Sequence, residues 1–177
     1  PVCMADGSGY IYQDPRFNQP TLTCLHPREE IPHWLSALEE ADESQWEFHR
    51  IANRVARVPL EIGGTELPQE GGLEGLLIDF DKGCYLGQEV MARIHAMGQV
   101  QRTLLPYSCQ ANPGKDLPVP LHNDEGKLIG QVKSAFAHPS DSTWVGMALL
   151  NKRARPAFEN GEISLNQVSL SPLPPAQ

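Results

Sequence analysis

The residues best suited to chemistry stand together in the run Lys82-Gly83-Cys84-Tyr85-Leu86-Gly87-Gln88-Glu89. A free cysteine thiol titrates at about 8.5, and a neighbouring ammonium such as Lys82 or a helix N-terminus just downstream favours the thiolate, the form that attacks carbon, exchanges disulfides and binds metals. Held partly exposed, Cys84 would be a nucleophile, a redox thiol or a transient metal ligand. Gly83 and Gly87 permit backbone conformations that a side chain obstructs, so the loop can fold tightly and turn N–H groups toward an anion or carboxylate. The competing reading is plain packing: free cysteine is among the most buried residue types, and Lys82 would then be a solvated charge and the glycines a turn. Residue types alone leave both open.

The elements that must position this run follow from periodicity. Leu76-Leu77-Ile78-Asp79-Phe80 has the length of a short buried strand leading into the loop. Beyond the loop, Val90, Met91, Ile94 and Met97 share one face of a helix from Gly87 or Gln88 to Met97, with Gly98 placed as its C-terminal cap and Glu89 and Arg93 as an i, i+4 pair. Upstream, Tyr10-Ile11-Tyr12 and Thr21-Leu22-Thr23-Cys24-Leu25 are β-prone, with turns at Asp6-Gly7-Ser8-Gly9 and Asp14-Pro15. Ile31, Trp34, Leu35 and Leu38 fall at helical spacing, predicting a helix that ends near Ala41. A second helix is predicted from Ser44, where Ser44-Gln45-Trp46-Glu47 matches a capping box, and Pro59 helps to stop it. Gly63-Gly64, Pro68 and Gly71-Gly72 mark a long connection in which Glu70 and Glu74 read as solvated loop charges. After Gly98 the helical pattern gives way to β-prone segments at Thr103 to Tyr107, Leu128 to Val132, Trp144 to Leu150 and Ile163 to Leu170. Turns are predicted at Asn112-Pro113-Gly114, Asn123 to Gly126, His138 to Asp141 and Glu159 to Glu162, which together describe a small antiparallel β domain. Pro172 to Gln177 should fray.

Composition narrows the functions. Fourteen Lys plus Arg against 22 Asp plus Glu give a net charge of −8, which argues against a phosphate-tracking surface and hence against direct nucleic-acid binding. Cys3, Cys24, Cys84 and Cys109 lack the spacing of a zinc or cluster cradle and read as reduced thiols, with Cys24 and Cys109 packing in β segments. The histidines show no zinc-hydrolase spacing, and Cys84 and His95 fall at opposite ends of the predicted helix, roughly 10 to 15 Å apart at 1.5 Å per residue, too far for a catalytic pair. No metal site is expected. No apolar run approaches the roughly 18 residues of a transmembrane helix, so no membrane partner is expected. The chain opens on Pro1, and Val2 to Met4 reads like the middle of a strand, so the sequence reads as a fragment.

The eight-residue run resembles the K-G-C-[FY]-x-G-Q-E signature of the YgfZ family and its mitochondrial counterparts, iron–sulfur assembly factors related to the glycine-cleavage T-protein. The likeness extends through His49-Arg50, Leu67-Pro68-Gln69-Glu70, Ile78-Asp79-Phe80-Asp81, Ala92-Arg93 and His95-Ala96-Met97-Gly98, so it spans about residues 46 to 107. The chain departs where bacterial members often carry R-I-E-A-G: here Arg50-Ile51 is followed by Ala52-Asn53-Arg54, which removes a carboxylate that could contact a pteridine. The resemblance implies an α+β fold, the C-terminal part of a multidomain GcvT/YgfZ-like protein. Residues 1–57 would form the tail of a middle, ferredoxin-like α/β region, 58–100 a return segment bearing the signature, and 101–177 a small antiparallel β-barrel.

By the same resemblance, tetrahydrofolate is the expected cofactor. Cys84 is the key thiol and Lys82 its neighbouring cation, while Tyr85, Gly87, Gln88, Glu89 and Arg93 shape or line the folate site. The implied role is folate-binding support for assembly or repair of iron–sulfur clusters, with client or assembly proteins as partners and tRNA-modifying enzymes helped indirectly. The implied compartment is the bacterial cytoplasm or, alternatively, the mitochondrial matrix. Two competing functions stay open. One is a true folate-dependent aminomethyl or one-carbon transferase, which needs a positioned acid or base rather than a thiol. The other is a non-catalytic interaction module with Cys84 packed inside.

Overall fold

The computed structural model describes residues 4–5, 9–29, 31, 33–98, 100–114 and 116–175. Cys3, the turn proposed over Asp6 to Ser8 and all of Val2 to Met4 except Met4 lie outside the described residues. Three short strands open the chain as an antiparallel sheet in sequential order: β1 (Met4–Ala5), β2 (Tyr10–Gln13) and β3 (Leu22–Leu25). Asp14 closes the β2–β3 loop. Its carboxylate accepts bonds from the Arg16 backbone N–H (3.0 Å), from Arg16 Nε (2.8 Å) and from Thr23 Oγ1 (2.8 Å). That turn seats Phe17 in the interior, where its ring stacks on His49 at 4.8 Å.

No full helix forms over Ile31 to Leu38. A five-residue 3-10 turn, His33–Ala37, stands there, and Ile31, Trp34 and Leu38 remain exposed. An apolar stripe stabilises a helix only when it is buried against something, and nothing among the described residues covers this one. The next helix, α1 (Glu43–Ala52), is capped by Asp42 rather than Ser44: the Asp42 carboxylate accepts from Gln45 N, and Gln45 Oε1 accepts from Asp42 N. It ends at Ala52, well before Pro59, and Arg54, two residues on, adopts φ 60°.

After the connection come α2 (Glu74–Leu77) and α3 (Gln88–Met97). The buried strand expected over Leu76 to Phe80 does not exist. Leu76 and Leu77 sit exposed in the single turn of α2, because no sheet is at hand to pair with an extended segment. The prediction for α3 holds closely: Gly87 and Gly98 stand at its two ends, both left-handed, at φ 87° and 70°.

The C-terminal half is a nearly closed antiparallel barrel of β4 (Arg102–Cys109), β5 (Val119–His122), β6 (Leu128–Ala137), β7 (Trp144–Asn151), β8 (Ile163–Leu165) and β9 (Val168–Pro172), in the order β5-β6-β7-β4-β9-β8. A short helix, α4 (Arg155–Glu159), follows β7. The segment read as one strand over Ile163 to Leu170 is a hairpin, turned at Asn166 and Gln167 with positive φ at both. Leu173 corrects the expected fraying: it is buried, and its N–H donates to Pro106 O at 3.2 Å.

Strand β7 explains why the barrel and α1 form one body. Its side chains alternate between two faces, as strand geometry requires. Ala148 and Leu150 point into the barrel core with Leu105, Tyr107 and Val132, while Val145, Met147 and Leu149 face the other way and pack with Ile51, Ala52 and Ile62. A strand buried on both sides reads as an unbroken apolar run, which is what residues 144–150 are. Gly146 lies at the tightest point. A Cβ there would sit 2.0 Å from Ser134 O and 2.7 Å from the Tyr107 hydroxyl, which itself donates to Ser134 O at 2.9 Å.

Candidate functional site

The signature forms an exposed loop built by local bonds. Asp79 Oδ1 accepts from the backbone N–H of Asp81 (2.9 Å) and Lys82 (3.2 Å), which turns the chain before Gly83. Tyr85 O accepts from Gln88 N at 3.2 Å, and Gly87 in the left-handed region hands the chain to α3. Cys84 is exposed at this bend, and Lys82 Nζ lies 4.7 Å from the centroid of the half-buried Tyr85 ring, a cation–π contact that holds the ammonium beside the loop. The Tyr85 hydroxyl is shut off from solvent without a hydrogen-bond partner. Glu89 and Arg93 pair at 3.1 Å on the outer face of α3, and both are largely exposed. Gln88 is half-buried at the first turn of α3. His95 is engaged by other residues: its Nδ1 lies 2.7 Å from Glu74 Oε1, and its ring stacks on Phe80 at 4.1 Å.

A second feature lies beneath α1, where a cavity of about 830 Å³ is framed by α1, the connection, α2 and β4. That volume suits a ligand of cofactor size. Leu76 and Leu77 line it, but none of residues 82–93 does, so the structure does not bring the signature side chains to its wall.

The cavity is backed by a buried ionic network. Arg50, nearly inaccessible, donates Nε to Glu47 Oε2 (2.6 Å) and both terminal nitrogens to Glu61 (2.9 Å each). Glu61 is fully buried and also accepts from Ser134 Oγ (2.5 Å) and Arg57 N (2.7 Å). Burial pulls the Arg50 pKa down, but its bonds to Glu61 and Glu47 outweigh that and leave it raised, so the guanidinium stays charged. Two further pairs tie the connection to the barrel: Glu66 with Lys133 at 3.0 Å, and Glu70 with Arg102 at 2.8 Å. Glu70 is therefore a buried structural carboxylate, not a solvated charge; 32 residues separate it from Arg102, so no local pattern announced the pair.

One residue in this region lacks what a buried polar side chain needs. Gln69 is 8% exposed and lines the cavity, and neither its Oε1 nor its Nε2 has a partner. Among the five arginines on the wall, Arg16, Arg50, Arg57 and Arg155 are each held by a carboxylate, and Arg54 makes no side-chain bond to the described residues. Sequence reasoning found neither Gln69 nor Arg54 as a site residue. Among the described residues, no group of three or more His, Cys, Asp or Glu is arranged to hold a metal ion, and no helix is long and apolar enough to cross a membrane.

Comparison with known proteins adds names to this geometry. No family model matches the chain. It is 35% identical over 110 residues to the iron–sulfur cluster assembly factor IBA57 homolog, mitochondrial, of Mycosarcoma maydis, covering 61% of this chain and 27% of that protein. It is 29% identical over 167 residues to the tRNA-modifying protein YgfZ of Sodalis glossinidius, covering 90% of this chain and 50% of that one. The chain thus spans half or less of the length of these relatives. Among solved structures, the glycine cleavage system aminomethyltransferase T from Bartonella henselae superposes with a TM-score of 0.53 at 18% identity, over 71% of this chain and 36% of that one, a likeness of fold.

Proposed function

We propose that this chain, similar in sequence to YgfZ and the IBA57 homologues and in fold to an aminomethyltransferase T, is a folate-binding accessory protein for assembly or repair of iron–sulfur clusters, with Cys84 as its working thiol. The observation that carries the reading is the exposure of Cys84 at the bend into α3, within the eight-residue signature and next to a cation held over Tyr85. An exposed thiol on a loop with few buried contacts can meet a large partner such as a client protein or a cluster carrier without the fold having to open. Gly83 and Gly87 leave the approach unobstructed: a Cβ at either would meet nothing within 4 Å.

Tetrahydrofolate is the proposed cofactor, seated in the cavity under α1; the signature residues Tyr85, Gly87, Gln88, Glu89 and Arg93, which the resemblance assigns to the folate site, flank the thiol and do not line that cavity. The buried, unpaired amide of Gln69 and Arg54, which no side chain among the described residues pairs, give the cavity under α1 polar groups that such a ligand requires. Folate when bound supplies a one-carbon carrier; the chain's own residues supply the thiol, the cation in the same loop and the cavity wall. The proposed compartment is the bacterial cytoplasm or the mitochondrial matrix, in keeping with the two kinds of relative, and effects on tRNA modification would be indirect.

The test is Cys84→Ser in the full-length protein, assayed for the activity of a four-iron client enzyme in cells that lack the native copy. The expected result is loss of client activity with an unchanged melting temperature. Full client activity from the serine variant would remove the thiol from the function.

A further inference from the structure

We propose that the cavity under α1 binds a flat heterocycle carrying an amide-like donor–acceptor edge and a carboxylate tail, with Gln69 pairing to the edge and Arg54 to the tail. This rests on the folate reading above, since a tetrahydrofolate has both features, and it commits that ligand to a location and to two residues that the signature does not contain.

Two independent observations carry it. The first is Gln69. A primary amide offers two donors and one acceptor atom, and native proteins almost always pair such groups when they are buried, because each unpaired one forfeits its hydration without return. Gln69 is 8% exposed, both its polar atoms are unpaired, and it lines a cavity large enough for a cofactor. A ligand presenting an adjacent N–H and carbonyl gives the amide both partners at once, the bidentate arrangement that amide side chains use to read heterocycle edges.

The second is Arg54. It sits on the cavity wall immediately after α1 in a left-handed conformation, φ 60°, that a long side chain rarely adopts and that glycine would accept without strain. Among the described residues its guanidinium has no partner, whereas the other four arginines on the wall are each held by a carboxylate of the chain: Arg16 by Asp14, Arg50 by Glu47 and Glu61, Arg57 by Glu47 and Arg155 by Glu159. A strained backbone that presents an uncommitted cation at a cavity fits recognition of an external carboxylate, which a guanidinium binds through two parallel bonds. Trp46, 47% exposed on the same wall, offers a ring face for the heterocycle to stack on.

Both side chains are thus locally unfavourable in the free protein, so replacing them should weaken binding while leaving stability equal or higher. A purely structural role would lower both together. The experiment measures binding of tetrahydrofolate and of 6-methyltetrahydropterin, which keeps the heterocycle and lacks every carboxylate, under anaerobic conditions by calorimetry and Trp fluorescence. The proteins are the wild type, Gln69→Leu and Arg54→Gly, with the melting temperature of each recorded. Gln69→Leu should weaken both probes about tenfold or more, Arg54→Gly should weaken tetrahydrofolate alone by a similar factor, and neither should melt below the wild type. Wild-type affinity for both probes in both variants would overturn the proposal and leave folate binding at another place. Equal weakening of the two probes by Arg54→Gly would overturn the assignment of the tail, and a lowered melting temperature in Gln69→Leu would make the amide structural. If the wild type binds neither probe, the folate reading itself fails and this inference with it.

Discussion

The barrel with α1 and the signature loop with α3 are built on opposite plans. In the barrel, β7 is buried on both faces, Glu61 satisfies Arg50, Ser134 and Arg57 in full burial, and a glycine is needed where the Tyr107 hydroxyl meets Ser134 O. In the signature segment no residue from Ile78 to Ile94 is fully buried, and its geometry rests on Asp79, Tyr85 O and Gly87, all within a few residues. Stability therefore resides in one region and accessibility in the other. A thiol that must meet another molecule belongs on the second, where substitution costs the fold little.

That contrast makes ordered predictions, and the largest concerns the buried network. Glu61→Ala leaves the buried Arg50 with Glu47 as its one remaining carboxylate and takes the acceptor away from Ser134 Oγ and Arg57 N, and should lower stability by about 3–5 kcal/mol in a denaturant titration. A loss under 1 kcal/mol would mean that water or another carboxylate reaches Arg50 easily and that the network is not the clamp described. Next, Gly146→Ala forces a methyl against Ser134 O and the Tyr107 hydroxyl, and should cost about 1–3 kcal/mol by the same measurement. A neutral result would show that β6 and β7 can separate at that point.

These two sites also show what could be read from the chain in advance. The doubly buried β7 was visible as an unbroken apolar run, and α3 was visible from its apolar face and the glycine at each end. Turn chemistry was equally legible: Gly114 N donates to Asn112 Oδ1, and Gly126 N to Asn123 O, as Asn-containing turns dictate. The connection was not legible. Glu61, Glu66 and Glu70 look like loop charges because their partners Ser134, Lys133 and Arg102 stand 73, 67 and 32 residues away. The same limit hid Gln69, whose significance comes from what it fails to touch. The false helix near Trp34 and the false strand over Leu76 to Phe80 have one cause: periodicity reports which residues could be buried, and burial requires a neighbour.

Acid should act on the β2–β3 turn more gently. Its bonds to Arg16 hold the Asp14 carboxyl well below the usual aspartate range, with the Thr23 hydroxyl adding to the effect against burial. A folded-state pKa depressed in this way contributes stability that is complete above the unfolded value of about 3.9 and is lost as pH falls toward the lower folded value. Asp14→Asn should therefore be less stable than the wild type at pH 7, with the difference shrinking below about pH 4. A difference that is constant with pH would assign the role of Asp14 to packing instead of charge. The smallest effect on stability should come from Cys84→Ser, within about 0.5 kcal/mol, as befits an exposed side chain.

The separation of fold from function can be tested most directly by alkylating the native protein with iodoacetamide and mapping each cysteine by mass spectrometry over time. Cys84 is exposed, whereas Cys109 is buried in β4, its Sγ 3.1 Å from Ala111 O and its thiol pKa pushed up by burial. The account predicts that Cys84 is modified first, without loss of structure, and that Cys109 reacts only under conditions that unfold the barrel. Protection of Cys84 equal to that of Cys109 would place the signature thiol inside the fold and contradict its role as the working group.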